Sequence, residues 1–128
     1  MNVKSFGNPP LTVSLQRALF ITNTATNGGA FCYDLLANPG HVATLTNVVF
    51  LSNTAQTAGG AIWQQVATGV TARLSLMNAT LFGNRAGLRG GAISAESSFA
   101  GAATLAITNS ILWANSSQID AIAGVTVV

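Results

Sequence analysis

The sequence predicts an all-β protein, a right-handed parallel β-helix (solenoid) built from about four coils of about 31 residues each. Three observations support this fold. Two columns of asparagine share one period, pairs of glycines recur at the same period, and short segments alternate apolar and polar residues. Strands that return one period later in the same orientation stack in parallel, roughly 4.8 Å apart, as in a solenoid.

The asparagine columns set the period. At intervals of 31 residues, the first column contains Asn47, Asn78 and Asn109, and the second contains Asn53, Asn84 and Asn115. Asparagine tolerates left-handed backbone at sharp corners, and stacked amides can hydrogen-bond along a column. Both columns are therefore interpreted as structural ladders at the corners of the coils.

The glycine pairs and the large apolar residues keep the same period. The glycine pairs are Gly28-Gly29, Gly59-Gly60 and Gly90-Gly91. They indicate tight bends, and no phosphate-binding pattern of glycines is present. The residues predicted to point into the core, and to be nearly fully buried, are Leu45, Phe50, Ile62, Leu76, Leu81, Ile93, Ile107 and Leu112. Three short strands in each coil fit this pattern best.

The first copy departs from the period. Asn23 precedes Asn53 by 30 residues, whereas Gly28 precedes Gly59 by 31, so a one-residue deletion is expected between Asn23 and Gly28. Arg17 also occupies the position at which the later copies have asparagine. These departures predict a less regular first coil.

The chain is interpreted as one segment, residues 1–128, with coils at approximately 11–40, 41–71, 72–102 and 103–128. We expect it to be part of a longer solenoid or to associate through its ends. The residues from Gly124 to Val128 have strong β propensity and no charged or helical cap, so they invite a further strand. At the other end, Asn8-Pro9-Pro10 would blunt such pairing only in part.

The composition argues against several classes of function. Charged residues make up 6% of the chain, and the net charge of +2 comes from scattered cations, so nucleic acid is not an expected partner. The apolar runs are far shorter than the roughly 20 residues of a membrane-spanning helix. Cys32 is the single cysteine, so no intramolecular disulfide can form. No signal peptide is recognisable at the amino terminus.

Three segments carry a family resemblance. FLSNTAQTAGGAI (residues 50–62) and LFGNRAGLRGGAI (residues 81–93) closely resemble the F-x-x-N and G-G-A-I repeats of polymorphic outer membrane proteins of the chlamydial type. They also resemble bacterial β-helix proteins of the autotransporter-adhesin type. ITNSILWANSSQID (residues 107–120) is similar to the last regular coil of large secreted β-helix proteins, in which further chain normally follows. The resemblance covers about residues 11–128 and implies an extracellular or bacterial cell-surface location.

The titratable residues offer one weak catalytic candidate pair, Asp34 and Glu96. They share a column two coils apart, which places them roughly 9 to 10 Å from each other, near the upper end of the spacing in inverting glycosidases. Both follow the Gly-Gly-Ala strand and are expected on exposed loops. His41 follows Pro39-Gly40 in a turn and is expected to face solvent, without a second ligand nearby. No metal or cofactor is predicted.

A column of large apolar residues is predicted on the outer surface. Ile21, Leu51, Phe82 and Trp113 each follow an inward-pointing residue, so strand alternation directs them outward. Such a stripe indicates a contact surface for a covering segment, for another protein, or for sugar rings stacked on Phe82 and Trp113.

Three functions remain open from the sequence. The first is a non-enzymatic extracellular or cell-surface solenoid that acts as an adhesin-like or structural contact scaffold. The second is a fragment of a polysaccharide lyase or glycoside hydrolase, because β-helices support such enzymes as well as adhesins. The third is a structural subunit that assembles through its open ends. The expected partners are a protein or glycan surface, or a covering or end-stacked chain.

Overall fold

The computed structural model describes residues 1–6, 9–98, 100–122 and 124–128, and these residues form a parallel β-solenoid of about four coils. The all-β fold and the 31-residue period of the sequence are confirmed. Leu45, Leu76 and Ile107 are consecutive partners in one sheet, as are Phe50, Leu81 and Leu112 in another.

The strands follow the coils in order. Strand β1 (Asn2–Ser5) precedes the first coil, which contains β2 (Thr12–Gln16), β3 (Leu19–Ile21), β4 (Thr24–Asn27) and β5 (Phe31–Leu35). The second coil contains β6 (His41–Thr46), β7 (Val49–Leu51), β8 (Thr54–Ala58) and β9 (Ile62–Val66). The third contains β10 (Thr71–Met77), β11 (Thr80–Phe82), β12 (Arg85–Ala86) and β13 (Ile93–Ser97). The fourth contains β14 (Ala102–Thr108), β15 (Ile111–Trp113) and β16 (Ile119–Ala121), and β17 (Val125–Val127) follows it.

Equivalent strands stack into four parallel sheets in the described part of the chain. Sheet A has the order β1-β5-β9-β13-β16, and sheet B has the order β17-β14-β10-β6-β2. Sheet C has the order β15-β11-β7-β3, and sheet D has the order β12-β8-β4. The prediction of three strands per coil is therefore wrong for the first three coils, which have four each. The pattern concealed sheet D because its strands are short and rich in threonine, alanine and glutamine.

The core lies inside the stacked coils. Of the eight residues predicted to be nearly fully buried, six are fully buried. Ile107 and Leu112 are only partly buried, because they belong to the fourth coil and few described residues cover them from above. The rings of Phe20 and Phe50 stack with centroids 4.8 Å apart, which continues the inward Phe/Leu column into the first coil.

The one-residue deletion of the first copy is confirmed. Ala25 of β4 pairs with Ala55 of β8, but Asn27 pairs with Ala58, so the register shifts by one residue between Ala25 and Asn27.

The glycine pair of each of the first three coils forms the tight corner between sheets D and A. Gly59 has a φ of 66°, and a side chain on Gly60 would overlap the carbonyl oxygen of Gly91 in the next coil.

The first asparagine column occupies left-handed backbone, as predicted. Asn47, Asn78 and Asn109 have φ values of 54°, 52° and 47°, and Arg17 has 52° at the equivalent corner. The second column does not: there the left-handed residue comes one position earlier, at Thr22, Ser52, Gly83 and Ala114. The asparagines of the second column therefore have another role, which their hydrogen bonds define.

At the carboxyl-terminal side, the strand predicted from Gly124 to Val128 is present as β17. It pairs with β14, and its register places Val125 beside Ala103 and Val127 beside Leu105. At the amino-terminal side, the predicted blunting segment Asn8-Pro9-Pro10 begins at a residue that lies outside those described.

Candidate functional site

The predicted surface stripe forms one column on sheet C. Ile21 pairs with Leu51, Leu51 with Phe82, and Phe82 with Trp113, each in the next coil. Because Phe50 and Leu81 of the same strands are fully buried, alternation turns this column outward. Trp113 is 68% exposed and Phe82 is 42% exposed.

A second apolar column lies beside the stripe. It contains Leu19, Val49, Thr80 and Ile111, of which Leu19 and Ile111 are strongly exposed. Apart from Thr80, the outer surface of sheet C is thus apolar over two neighbouring columns, and its strands carry no charged side chain. A contiguous apolar surface of this kind is typical of a contact site.

The corner ladder consists of Asn23, Asn53, Asn84 and Asn115, and its amides are bonded to each other and to backbone. The Oδ1 of Asn84 accepts the backbone N–H and the Nδ2–H of Asn53, both at 2.9 Å. Its Nδ2 donates to the carbonyl oxygen of Phe50 and to the Oδ1 of Asn115. The same bonds recur around Asn53, which donates to the carbonyl oxygen of Phe20.

These bonds explain the F-x-x-N spacing. The large apolar residue points into the core, and the asparagine three positions later turns inward at the corner between sheets C and D. There its amide satisfies backbone groups that the sharp corner removes from the sheet ladders. Asn53 and Asn84 are fully buried without an unpaired side-chain polar atom.

The outer ladder consists of Asn47, Asn78 and Asn109 and is exposed. The Nδ2 of Asn78 donates to the Oδ1 of Asn47 at 3.1 Å, and the Nδ2 of Asn109 donates to the Oδ1 of Asn78 at 2.7 Å. Each residue also supplies the left-handed corner between sheets B and C. In both ladders the amides bond within the column, and those of the corner ladder also bond to backbone.

Asp34 and Glu96 lie on the outer face of sheet A, with Gln65 between them in the column. Two coil steps place their strands roughly 9 to 10 Å apart. The expectation that both lie on exposed loops is wrong. Asp34 belongs to β5 and is only 6% exposed, and Glu96 belongs to β13 and is partly buried.

Both carboxylates already have partners. The Oδ2 of Asp34 lies 3.1 Å from the Nζ of Lys4. The Oε1 of Glu96 accepts from Arg89 Nη2 at 3.0 Å and from Trp63 Nε1 at 3.1 Å. A catalytic acid or base needs a carboxyl oxygen within reach of the substrate proton. These oxygens instead bond to side chains of the chain itself, as in a structural ion-pair network.

Beside these acids, the outer face of sheet A carries a column that sequence reasoning did not single out as a site. It contains Asn2, Cys32, Trp63, Ser94 and Asp120. Burial raises the pKa of the Cys32 thiol, and the Asp34 carboxylate raises it further, so both favour the protonated thiol over the thiolate. The signal that could have found the column is the 31-residue spacing of Cys32, Trp63 and Ser94.

A cleft of about 470 Å³ opens between this face of sheet A and strand β4. Lys4, Asn27, Cys32 and Trp63 are among the residues that line it. The sequence did not predict this cleft, because residues of β1, β4, β5 and β9, which are far apart in the chain, line it together.

His41 does not face solvent, so that expectation is wrong. It begins β6, lies in register with Ala72, and is buried inside the coil. Its Nδ1 accepts the N–H of Leu11 at 2.9 Å, and its Nε2 donates to the carbonyl oxygen of Ala37 at 2.6 Å. Both ring nitrogens are therefore used for structure.

The described residues contain no group of three or more His, Cys, Asp or Glu side chains placed to hold a metal ion. In that same part of the chain, no helix has the length and apolarity needed to cross a membrane.

Comparison with known proteins gave one match. The family model of the Chlamydia polymorphic membrane protein repeat matches residues 47–65, which include β7, β8 and most of β9. No curated protein and no solved structure matches the chain significantly. One coil later, residues 78–96 keep both asparagines and the glycine pair, with Leu81 at the inward position of Phe50. The chain thus contains a repeat similar to that of the chlamydial polymorphic membrane proteins, stacked as coils of a parallel β-solenoid.

Proposed function

We propose that this chain is a non-enzymatic, surface-exposed segment of a bacterial outer membrane protein and acts as an adhesin-like contact scaffold. The observation that supports this most directly is the repeat match at residues 47–65, in a stack whose next coil keeps the motif in register. Stacked coils present long, regular faces, which suits contact with an extended partner.

The contact face in this proposal is the apolar surface of sheet C. Phe82 and Trp113 are large, exposed and held on adjacent rungs of a rigid sheet. Aromatic side chains of this kind contribute most of the binding energy in many interfaces, because little conformational entropy is lost when they are covered. The partner is a protein or glycan surface.

The absence of enzymatic activity is part of the proposal. It is supported by the bonds of Asp34 Oδ2 to Lys4 and of Glu96 Oε1 to Arg89 and Trp63. A reducing-end assay on pectins and other polysaccharides tests this point, with an Asp34→Asn, Glu96→Gln double variant as the comparison. We expect no turnover with either protein. Turnover that the double variant loses would show a glycosidase-type or lyase-type enzyme instead.

The location is tested in the bacterium that makes the parent protein. We expect external protease to remove the repeat region from intact cells, detected with an antibody against this chain. Protection in intact cells and cleavage only after lysis would contradict the surface proposal.

The contact role is tested with beads that carry the purified chain and are offered to cultured epithelial cells. We expect attachment to fall at least about tenfold in a Phe82→Ser, Trp113→Ser double variant, since two interface anchors are lost. A Val42→Ser, Met77→Ser variant is the matched control, because these exposed apolar residues lie on the outer face of sheet B. Equal attachment by all three proteins would exclude sheet C as the contact face.

A second candidate function is self-assembly through the end of the stack. Val127 and Val128 are exposed, and among the described residues β17 pairs only with β14. A strand with one free edge can pair with a strand of another copy. We expect the sedimentation coefficient of the isolated chain to rise with concentration and a Thr126→Lys, Val127→Lys variant to abolish that rise. A concentration-independent monomer would contradict self-assembly.

A further inference from the structure

The charged side chains are distributed unevenly around the coils. The acidic residues all lie on strands of sheet A, and they are Asp34, Glu96 and Asp120. Lys4 and Arg89 form ion pairs with the first two of them. The remaining cations form no ion pair with any described residue, and they are Arg17, Arg73 and Arg85. Sheets B, C and D therefore carry cations but no acid.

Two of these unpaired arginines border the apolar face of sheet C on opposite sides. Arg17 is exposed at the corner between sheets B and C, two residues before β3. Arg85 begins β12, just past the corner between sheets C and D, and lies in register with the exposed Thr54 on the outer side of sheet D. The face thus has an apolar centre and cationic flanks.

The backbone at Arg17 indicates that this cation does not serve the fold. Its φ of 52° lies in the left-handed region, which arginine tolerates less well than the asparagines of the later coils. Its guanidinium makes no ion pair or hydrogen bond with another described residue that would offset this cost. A strained residue whose side chain contributes nothing to the fold points to a role in binding.

We propose that the sheet C face binds an acidic amphipathic α-helix of a partner protein, which rests on sheet C being the contact face. The apolar side of the helix covers Leu51 and Phe82, and carboxylates on its two flanks pair with Arg17 and Arg85. These arginines are two coils apart, roughly 9 to 10 Å along the solenoid axis. In a helix, acidic residues about six positions apart are separated by about 9 Å along its axis and lie on opposite sides of an apolar stripe.

Other occupants fit this face less well. A strand added by β-augmentation needs a free sheet edge, whereas sheet C offers its outer face. A second copy of the chain, packed face to face, would bring arginines together without an acid between them. A glycan would find few hydrogen-bond partners, because Thr80 is the one polar side chain in the two outward columns. Apolar and aromatic residues with arginine, and with few other charges, are typical of protein–protein interfaces.

The test compares two synthetic helical peptides with the same leucine stripe, one with glutamate and one with lysine at both flanking positions. Their binding to the full chain is measured by fluorescence anisotropy. We expect the glutamate peptide to bind at least about tenfold more tightly, by a margin that shrinks as salt is added. An Arg17→Glu, Arg85→Glu double variant should reverse this preference. Arg73→Glu, on the outer face of sheet B, is the control and should leave it unchanged.

Several outcomes would overturn the proposal. These are binding of neither peptide, equal binding of both, or a preference that the Arg17→Glu, Arg85→Glu variant retains. Binding of heparin or polygalacturonate through Arg17 and Arg85, without binding of either peptide, would assign the face to an acidic glycan instead. Melting curves of each variant separate loss of binding from loss of folding.

The bead assay distinguishes failure of this proposal from failure of the adhesive role. Attachment that is lost in Phe82→Ser, Trp113→Ser but kept in Arg17→Glu, Arg85→Glu would retain sheet C as the contact face and exclude an acidic partner. Attachment that neither variant changes, together with the expected peptide binding, would exclude the adhesive role and support the acidic helix as the ligand of sheet C.

Discussion

The corner ladder can be compared with a column inside the solenoid that contains Tyr33 and Gln64, here called the lumen column. Both bury polar side chains within the same coils, but only the corner ladder provides them with hydrogen-bond partners. Asn53 and Asn84 are fully buried, and their amides bond above, below and to backbone. The lumen column pairs Tyr33 with Gln64 inside the solenoid. The Tyr33 hydroxyl and both polar atoms of Gln64 are buried without a hydrogen-bond partner.

The difference shows that the period alone does not stabilise a buried polar group. In the ladder, the same residue recurs at each step, so every donor meets an acceptor one coil away. In the lumen column, tyrosine is followed by glutamine and then by Ala95, so neighbouring coils offer no matching group. Where the same residue recurs in each coil, hydrogen bonds offset the cost of desolvating its polar groups. Where the residue changes from coil to coil, that cost is not offset.

The largest expected effect is that of Asn84→Ala. The substitution leaves the backbone N–H of Asn53 and the carbonyl oxygen of Phe50 without their side-chain partners. We expect a loss of about 3 to 5 kcal/mol in the free energy of unfolding, measured by chemical denaturation. The control is Asn109→Ala in the exposed outer ladder, where about 1 kcal/mol is expected. Equal losses would contradict the distinction between the ladders.

Gln64→Leu should act in the opposite direction. It replaces a fully buried amide that makes no hydrogen bond with an apolar side chain of similar size. We expect the free energy of unfolding to rise by about 1 to 3 kcal/mol. Gln65→Leu, on the outer face of the same strand, is the control and should change stability by less than about 0.5 kcal/mol. Destabilisation by Gln64→Leu would mean that the amide has partners within the lumen.

Tyr33→Phe should have a smaller effect that depends on pH. Burial raises the pKa of the Tyr33 hydroxyl far above its ordinary value near 10. A group whose pKa is raised on folding contributes its full stability below the unfolded pKa and loses it as the pH rises above that value. The wild-type chain should therefore lose stability above about pH 10, through the tyrosine that titrates there.

We expect Tyr33→Phe to flatten this alkaline loss and to add about 1 kcal/mol at neutral pH, because an unpaired hydroxyl is removed. The measurement is urea denaturation from about pH 8 to about pH 11, in a Cys32→Ala background. That background is needed because the pKa of the Cys32 thiol is also raised by burial. An unchanged pH profile would show that Tyr33 is not the source of the alkaline loss.

The smallest expected effect comes from repairing the outer ladder. Arg17 has a φ of 52° at a corner where the later coils have asparagine. Because asparagine tolerates this backbone better and can bond to Asn47, Arg17→Asn should stabilise the fold by about 0.5 to 1 kcal/mol. Arg73→Asn, in a regular strand, serves as the control and should not stabilise. If Arg17→Asn raises the melting temperature no more than the control, the left-handed backbone is not a source of strain.

The solenoid could be predicted well from the sequence because equivalent positions in stacked coils have the same environment and so require similar residues. An inward Phe or Leu and, three positions later, an asparagine recur in each coil for a physical reason that a single sequence displays. The register shift near Asn27 could also be located, since a deletion in one copy is visible against the others. The repeated features of a solenoid can therefore be predicted from the sequence alone.

The candidate sites depended on features that occur once. The expectation that His41 faces solvent rests on its neighbours Pro39 and Gly40, whereas its position in register with the buried Ala72 places it inside the coil. Trp63 and Asn27 line one cleft although they lie on strands of different sheets, and no spacing in the sequence encodes that proximity. Columns are predictable from a period, whereas contacts across a corner require coordinates.

The corner ladder also has a direction, and that direction limits the symmetry of any larger assembly. Within the column, each Nδ2 donates to the asparagine of the carboxyl-terminal coil and each Oδ1 accepts from that of the amino-terminal coil, and a second Nδ2 bond to a backbone carbonyl of the preceding coil fixes this orientation. Two stacks related by a two-fold axis would set acceptor against acceptor or donor against donor at their junction. Continuity of the ladder is possible only by translation along the axis, so it favours open filaments over closed dimers.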